Sequence, residues 1–207
     1  TRRMGNRIEI NQYSMRGSPI APHKNSSTFR VFLVGDSIAN GGWWTDKNDI
    51  ISALIKNRLV EDLSECKNIE VLNASANSWG PRNQLAYLHR FGLFEAQVVV
   101  LLLNTDDLFA TAPTSLPVGR DRNYPDRKPP LAFVELWQQK FLPTKTILGM
   151  AEVQAEKGDR VGNNLIAIEQ ILAIVKQNNA RLILGMAPLL REIGESGSKD
   201  YELKARN

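Results

Sequence analysis

At 207 residues and 43% apolar side chains, the chain is long enough to bury the core of one domain, or of one domain with an appendage. Its 26 basic and 22 acidic side chains leave a net charge of +4, too balanced for a nucleic-acid binder, and no basic stripe is interleaved with stacking aromatics. The single cysteine, Cys66, excludes an internal disulfide and reads as a small buried side chain, and no apolar run reaches the roughly 18 residues that span a bilayer.

Residues 1–28 are polar, carry Arg2, Arg3, Arg7, Arg16, Pro19 and Pro22, and show no sustained period, which predicts an irregular arm before a domain over 29–207. Arg30 to Val34 reads as a buried strand that ends in the polar turn Gly35-Asp36-Ser37. Asn48 or Asp49 is placed to cap a helix whose apolar positions Ile51, Leu54, Ile55, Leu59 and Leu63 carry it to about Ser64. Ile69 to Leu72 is a second strand, followed by the polar turn Asn73 to Gly80, and Pro81 suits the first position of a helix striped by Leu85, Leu88 and Phe91. Val98 to Leu103 is apolar on both faces, as a central parallel strand must be, and delivers Asn104-Thr105-Asp106-Asp107.

Ala110 to Pro130 is a proline-rich loop with Tyr124 and the basic residues Arg120, Arg122, Arg127 and Lys128, of the length used for lids and binding loops. Phe133 to Leu142 and Ile147 to Glu156 read as weaker helices. Leu165, Ile168, Leu172 and Val175 mark a firmer one before a fourth strand, Arg181 to Met186. Strands alternating with helices predict an α/β fold, a doubly wound parallel sheet between helical layers. Gly194 to Asn207 reads as the start of a further helix, so the sheet is expected to lack its last strand and helix.

A parallel sheet brings the turns at Gly35 to Ser37, Asn73 to Ser78 and Asn104 to Asp107 to one rim, where such folds place ligands. Ser37 is the candidate reactive group there, although Gly-Asp-Ser is also ordinary turn chemistry. A hydroxyl nucleophile needs a base and donors for the oxyanion it creates, and backbone N–H groups at Ser37 and Ser78 are placed to donate. Trp43, Trp44 and Trp79 follow strand ends, where their faces suit a sugar ring or an acyl chain.

At these residues the sequence resembles the SGNH hydrolases, the GDSL esterase/lipase family. The resemblance covers residues 29–108 through three blocks, with the fourth strand fitting to about residue 188. It implies a flavodoxin-like three-layer α/β/α sandwich. It also implies hydrolysis or transfer of an acyl group, often acetyl on a carbohydrate, without a metal or other cofactor. Ser37 is then the nucleophile, Asp36 its neighbour in the first block, and Asn73 the Asn that closes the second strand. Ser78 stands where the family has an oxyanion Gly, and Asp106 where it has an Asn that donates to the oxyanion. Asn73, Trp43 and Trp79 are the substrate-binding candidates.

An ionised Asp106 accepts hydrogen bonds and repels developing negative charge, a departure from the family's pattern. The family's Asp-X-X-His block, which supplies the base, occurs nowhere in the 207 residues, so this chain is expected to be inactive as it stands. His23 lies in the arm and His89 within a predicted helix, away from the strand ends. The partner implied is a small-molecule or carbohydrate ester, and the family tends to work outside the cytoplasm, periplasmic or membrane-anchored. Two other readings stay open: a non-catalytic carbohydrate-binding relative, and a metal-dependent phosphoryl-transfer enzyme in which Asp36, Asp106 and Asp107 hold a hard cation.

Overall fold

A computed structural model describes residues 2–3, 5–63, 68–121, 137, 141, 146–193 and 197–206. Cys66, Arg122, Tyr124, Arg127, Lys128 and most of the helix expected over 133–142 lie outside these residues. The chain divides into two compact units, one formed by residues 1–110 with 159–207 and the other by 111–158.

The first unit is built on four parallel strands: β3 (Thr28–Gly35), β4 (Asn68–Ser75), β5 (Val98–Asn104) and β6 (Arg181–Ala187). They lie side by side in the order β4-β3-β5-β6. Every pairing is parallel, with Gly35 level with Ser75 on one side and with Leu102 on the other. This is the flavodoxin-like arrangement. β4 and β5 run past their apolar runs through Asn73, Ser75 and Asn104, whose side chains find hydrogen-bond partners at the rim.

Helices α3 (Pro81–Phe91) and α5 (Arg160–Gln177) cover one face of the sheet. Phe32, Val34, Leu72, Ala74, Val99, Leu101 and Leu103 there meet Tyr87, Leu88, Ile171 and Val175 in a single core. Pro81 is the first residue of α3, as its fixed φ and missing N–H predict. In α5 the buried stripe is Asn164, Ala167, Ile171 and Val175, one position away from the expected Leu165, Ile168 and Leu172. The rotation is set by Asn164, whose amide donates to the carbonyls of Leu108 (3.0 Å) and Ala110 (2.9 Å).

Helix α2 (Ile51–Asp62) packs on the opposite face against β4 and makes the third layer. Neither Asn48 nor Asp49 caps it: its N-cap is Ile50, with no side-chain hydrogen bond. Leu54 is exposed, and the residue α2 buries fully is Ser52, whose hydroxyl accepts from the Asn73 amide.

The N-terminal residues depart from the expected irregular arm. Strands β1 (Arg2–Arg3) and β2 (Asn6–Arg7) form a hairpin around Gly5 at φ 86°, and a second turn pairs Ile10 with Arg16. Met15 is buried in the main core, the Tyr87 hydroxyl donates to Tyr13 O at 2.6 Å, and the Arg16 N–H reaches Asn73 O at 2.9 Å on the free edge of β4. The segment thus belongs to the domain and blunts an edge strand.

In the second unit, helix α4 (Met150–Gln154) follows Gly149 at φ 81°, shorter than the helix expected over 147–156. Glu156 accepts the N–H of Ala112 at 2.8 Å, closing that unit on itself.

Candidate active site

Ser37 opens the four-residue helix α1 (Ser37–Asn40), directly after β3. The strand-to-helix reversal is tight because residue 35 has no side chain: a Cβ there would collide with Ala39 Cβ and crowd Leu102 O. Asp36 is the N-cap, its Oδ1 accepting the Ile38 N–H at 2.8 Å. Its Oδ2 accepts from the Asn104 side-chain amide at 2.7 Å, a buried bond that ties the end of β3 to the end of β5. Ser37 itself is exposed, with its hydroxyl 3.4 Å from Asp36 Oδ2. The helix closes on Gly41, in the left-handed region at φ 72°, whose N–H returns to Ser37 O.

The second turn reaches the same rim. Ser78 is exposed and holds φ 63°, in the left-handed region that favours glycine. Gly80, two residues on, has to be glycine, because a Cβ would overlap Ala110 Cβ and crowd Asp107 O.

Asn73, a substrate-binding candidate in the sequence, is enclosed in the fold. It is 1% exposed and its amide donates to Ala39 O (2.8 Å) and Ser52 Oγ (3.1 Å), while its Oδ1 accepts from Ser75 Oγ (2.5 Å). With the Asn40 amide donating to Ser75 O at 2.9 Å, it fastens the back of α1 to β4. Trp79 is half-buried, its ring 5.5 Å from that of Tyr87 on the core side, which favours packing over substrate contact. Trp43 is half-buried and Trp44 exposed in the loop after α1.

At the third turn, residues 105–109 form a short 3₁₀ segment capped by Asn104, whose Oδ1 accepts from the Asp106 N–H at 2.8 Å. Asp107 is buried and accepts the Asn104 N–H at 2.9 Å. Burial pushes its carboxyl up to about 7, with the nearby carboxylates of Asp36 and Asp106 adding to the rise and the Asn104 bond opposing it.

Asp106 points elsewhere, into an ion pair with Arg191 of helix α6 (Leu190–Ile193), at 2.6 Å from Nη2 to Oδ1. Arg191 also pairs at 2.6 Å with Glu202 on helix α7 (Asp200–Arg206), a fully buried carboxylate. Bonds to both acids raise the Arg191 guanidinium further above its ordinary range, and a backbone N–H from Lys199 together with Arg191 holds Glu202 below the usual carboxylate range. Beside them Thr105 donates to Glu192 at 2.6 Å. The negative charge expected at residue 106 is therefore paired, through an arginine that it shares with Glu202. The sequence places Asn104 on the rim but not its bond to Asp36, and no pattern announces Arg191 or Glu202, because these contacts join residues separated along the chain.

The histidines sit at the other end of the sheet. His23 bonds Glu95 at 2.7 Å just ahead of β5, and His89 is exposed in the last turn of α3. A cleft of about 590 Å³ also lies at that end, between Tyr13, His23, Phe91, Glu95 and Asn179. The three carboxylates of the phosphoryl-transfer reading do not converge. Asp36 is spent on Ile38 and Asn104, Asp106 on Arg191, and no group of three or more His, Cys, Asp or Glu among the described residues is set to hold a metal ion.

No protein-family model and no curated protein matches the sequence. Similar solved structures include TesA, at 18% identity and a TM-score of 0.43, covering 85% of this chain and 67% of that one. A catalytic mutant of Axe2, an acetylxylan esterase from Geobacillus stearothermophilus, is 14% identical with a TM-score of 0.46, covering 86% and 66%. AlinE4, an SGNH-hydrolase family esterase, is 15% identical with a TM-score of 0.34, covering 77% of each chain. This chain thus spans about two thirds of the length of TesA and of Axe2.

Proposed function

We propose that the domain is of SGNH type and that Ser37 is the nucleophile of an ester hydrolase or O-acyltransferase, with acetyl esters, including those on carbohydrates, as its substrate class. The observation that carries this reading is the Asp36 carboxylate. It is buried, caps the turn that presents Ser37, and is locked to Asn104 from the neighbouring strand, so an exposed hydroxyl is held on a rigid rim where three strand ends meet. The left-handed Ser78, beside that rim, is the candidate oxyanion donor.

In the mechanism Ser37 Oγ attacks the acyl carbon as its proton passes to a base. The tetrahedral oxyanion collapses with loss of the alcohol, and water or a sugar hydroxyl then releases the acyl group. His23 and His89 lie at the far end of the sheet, so on this reading neither is the base, and low activity is expected without a histidine beside Ser37. Added imidazole substitutes for that base. Incubation with a fluorophosphonate and imidazole, followed by peptide mass spectrometry, is expected to place the adduct on Ser37 and to show none in Ser37→Ala. No adduct on Ser37 under any imidazole concentration would sink the serine reading.

The second reading, a non-catalytic carbohydrate-binding domain, is favoured by one feature: the hydroxyl's nearest partner is an Asp36 oxygen 3.4 Å away that already serves Asn104. Saccharide binding by calorimetry together with an unlabelled Ser37 would support it.

A further inference from the structure

Arg16 is a buried charged side chain of the first unit. It is 4% exposed, yet no carboxylate among the described residues comes within ion-pair distance of it. Its Nη1 donates to Gly42 O and its Nη2 to Thr45 O at 2.7 Å, while its Nε is buried without a partner. Desolvation lowers its pKa, only partly offset by the more distant Asp46. A buried guanidinium that answers two carbonyls instead of a carboxylate is costly, and a neutral side chain of similar volume would remove the cost. What a neutral side chain cannot do is span two carbonyls with a rigid fork.

Those carbonyls belong to the loop that follows the Ser37 turn. Gly41 and Gly42 are both left-handed, at φ 72° and 58°, so the loop has no intrinsic stiffness at the point where it leaves α1. The same loop carries Trp43 and Trp44. Arg16 also reaches the other support of the turn, since its backbone N–H bonds Asn73 O and the Asn73 side chain bonds Ala39 O. Further along, Lys47 N donates to Arg7 O (3.0 Å) and Arg7 N to Asp46 Oδ2 (2.7 Å), so the N-terminal segment grips both ends of the loop.

We propose that Arg16 is a positioning residue of the candidate active site. Its guanidinium fork clamps Gly42 and Thr45 and thereby fixes both the turn that presents Ser37 and the tryptophan loop beside it. The assignment to an active site rests on the serine reading above, whereas the clamp itself does not. The N-terminal segment, which reads in the sequence as an irregular arm, is on this account part of the site.

The test is amide hydrogen exchange on the 207-residue chain with Arg16→Met and Arg16→Lys, alongside the imidazole-assisted fluorophosphonate labelling rate of Ser37. The reporters are the amides of Asn40 and Gly41, which donate to Asp36 O and Ser37 O at 3.0 Å, with the β5 amides as the control for global stability. Exchange at Asn40 and Gly41 is expected to rise about tenfold or more in Arg16→Met with β5 unchanged. Arg16→Lys, which keeps the charge and one carbonyl contact, is expected to recover part of the protection. Labelling of Ser37 is expected to slow in the same order. Unchanged exchange at both amides, or a rise shared equally by β5, overturns the clamp. Lost protection with an undiminished labelling rate overturns its role in the site. Absence of labelling even in the wild type counts against the serine reading and against the site role that rests on it, while exchange still decides the clamp.

Discussion

Asp107→Asn is expected to stabilise the fold at neutral and alkaline pH while changing little in acid. The Asp107 carboxyl is 6% exposed and is raised from 3.8 to about 7 in the folded protein, chiefly by burial. Between those two values the folded chain holds a proton that the unfolded chain has released. Stability from this group is therefore complete below about pH 4 and is lost as pH rises through about 7. At about 1.4 kcal/mol per unit, the rise of roughly three units sets a ceiling of about 4 kcal/mol, which relaxation and water entry reduce to ~2 kcal/mol. Asparagine keeps a carbonyl oxygen for the Asn104 N–H and removes the charge facing Asp36. Urea unfolding followed by circular dichroism, run on both proteins from about pH 4 to about pH 8.5, gives the difference directly. Other carboxylates, such as Glu192 held low by the Thr105 hydroxyl and Glu202, lose their contribution in acid, but they cancel between the two proteins. A stability gap of constant size across that range would refute the assignment of a buried, repelled carboxyl at residue 107.

Three further outcomes are expected from the same unfolding assay. Gln84→Met should raise stability by ~1–3 kcal/mol, because both polar atoms of the fully buried Gln84 amide lack a protein partner; a loss instead would mean that the amide holds a buried water. Asp36→Ala should cost ~2 kcal/mol or more, about 1 for the lost helix cap and the rest for the stranded Asn104 amide, with Asp36→Asn falling in between. Gly80→Ala should cost ~1–3 kcal/mol, since its methyl would overlap Ala110 Cβ and press on Asp107 O, whereas Gly92→Ala, with open space at that position, should show only the backbone cost of its positive φ.

Some of this protein is written in local sequence. The apolar runs at Phe29 to Val34 and Val98 to Leu103 become strands with little dependence on the rest of the chain, because a run that is apolar on both sides has no stable place except the centre of a parallel sheet. Pro81 likewise sets the start of α3, since its φ suits only the first helical turn. The rim follows from the same logic: parallel strands that each end in a polar turn bring those turns together whatever lies between. The Ser37 site was legible to that extent, as a place and a candidate hydroxyl.

What the polar residues do there depends on partners far away in the chain, and no period or spacing encodes them. Asn73 sits in a strand turn and looks available for a ligand, but burial against Ala39, Ser52 and Ser75 makes it a fastener. Asp106 looks like a bare charge until Arg191, 85 residues later, answers it. Arg16 reads as one more arginine in a polar arm, and only the closed fold lays its guanidinium against two carbonyls of the loop after Ser37. Sequence by itself determined the strands, their order of use and the rim where they end, because hydrophobic burial and backbone geometry act locally. Tertiary structure decided which polar groups on that rim are free for chemistry and which are consumed in holding it, because a buried hydrogen-bonding group is defined by its partner and not by its neighbours in the chain.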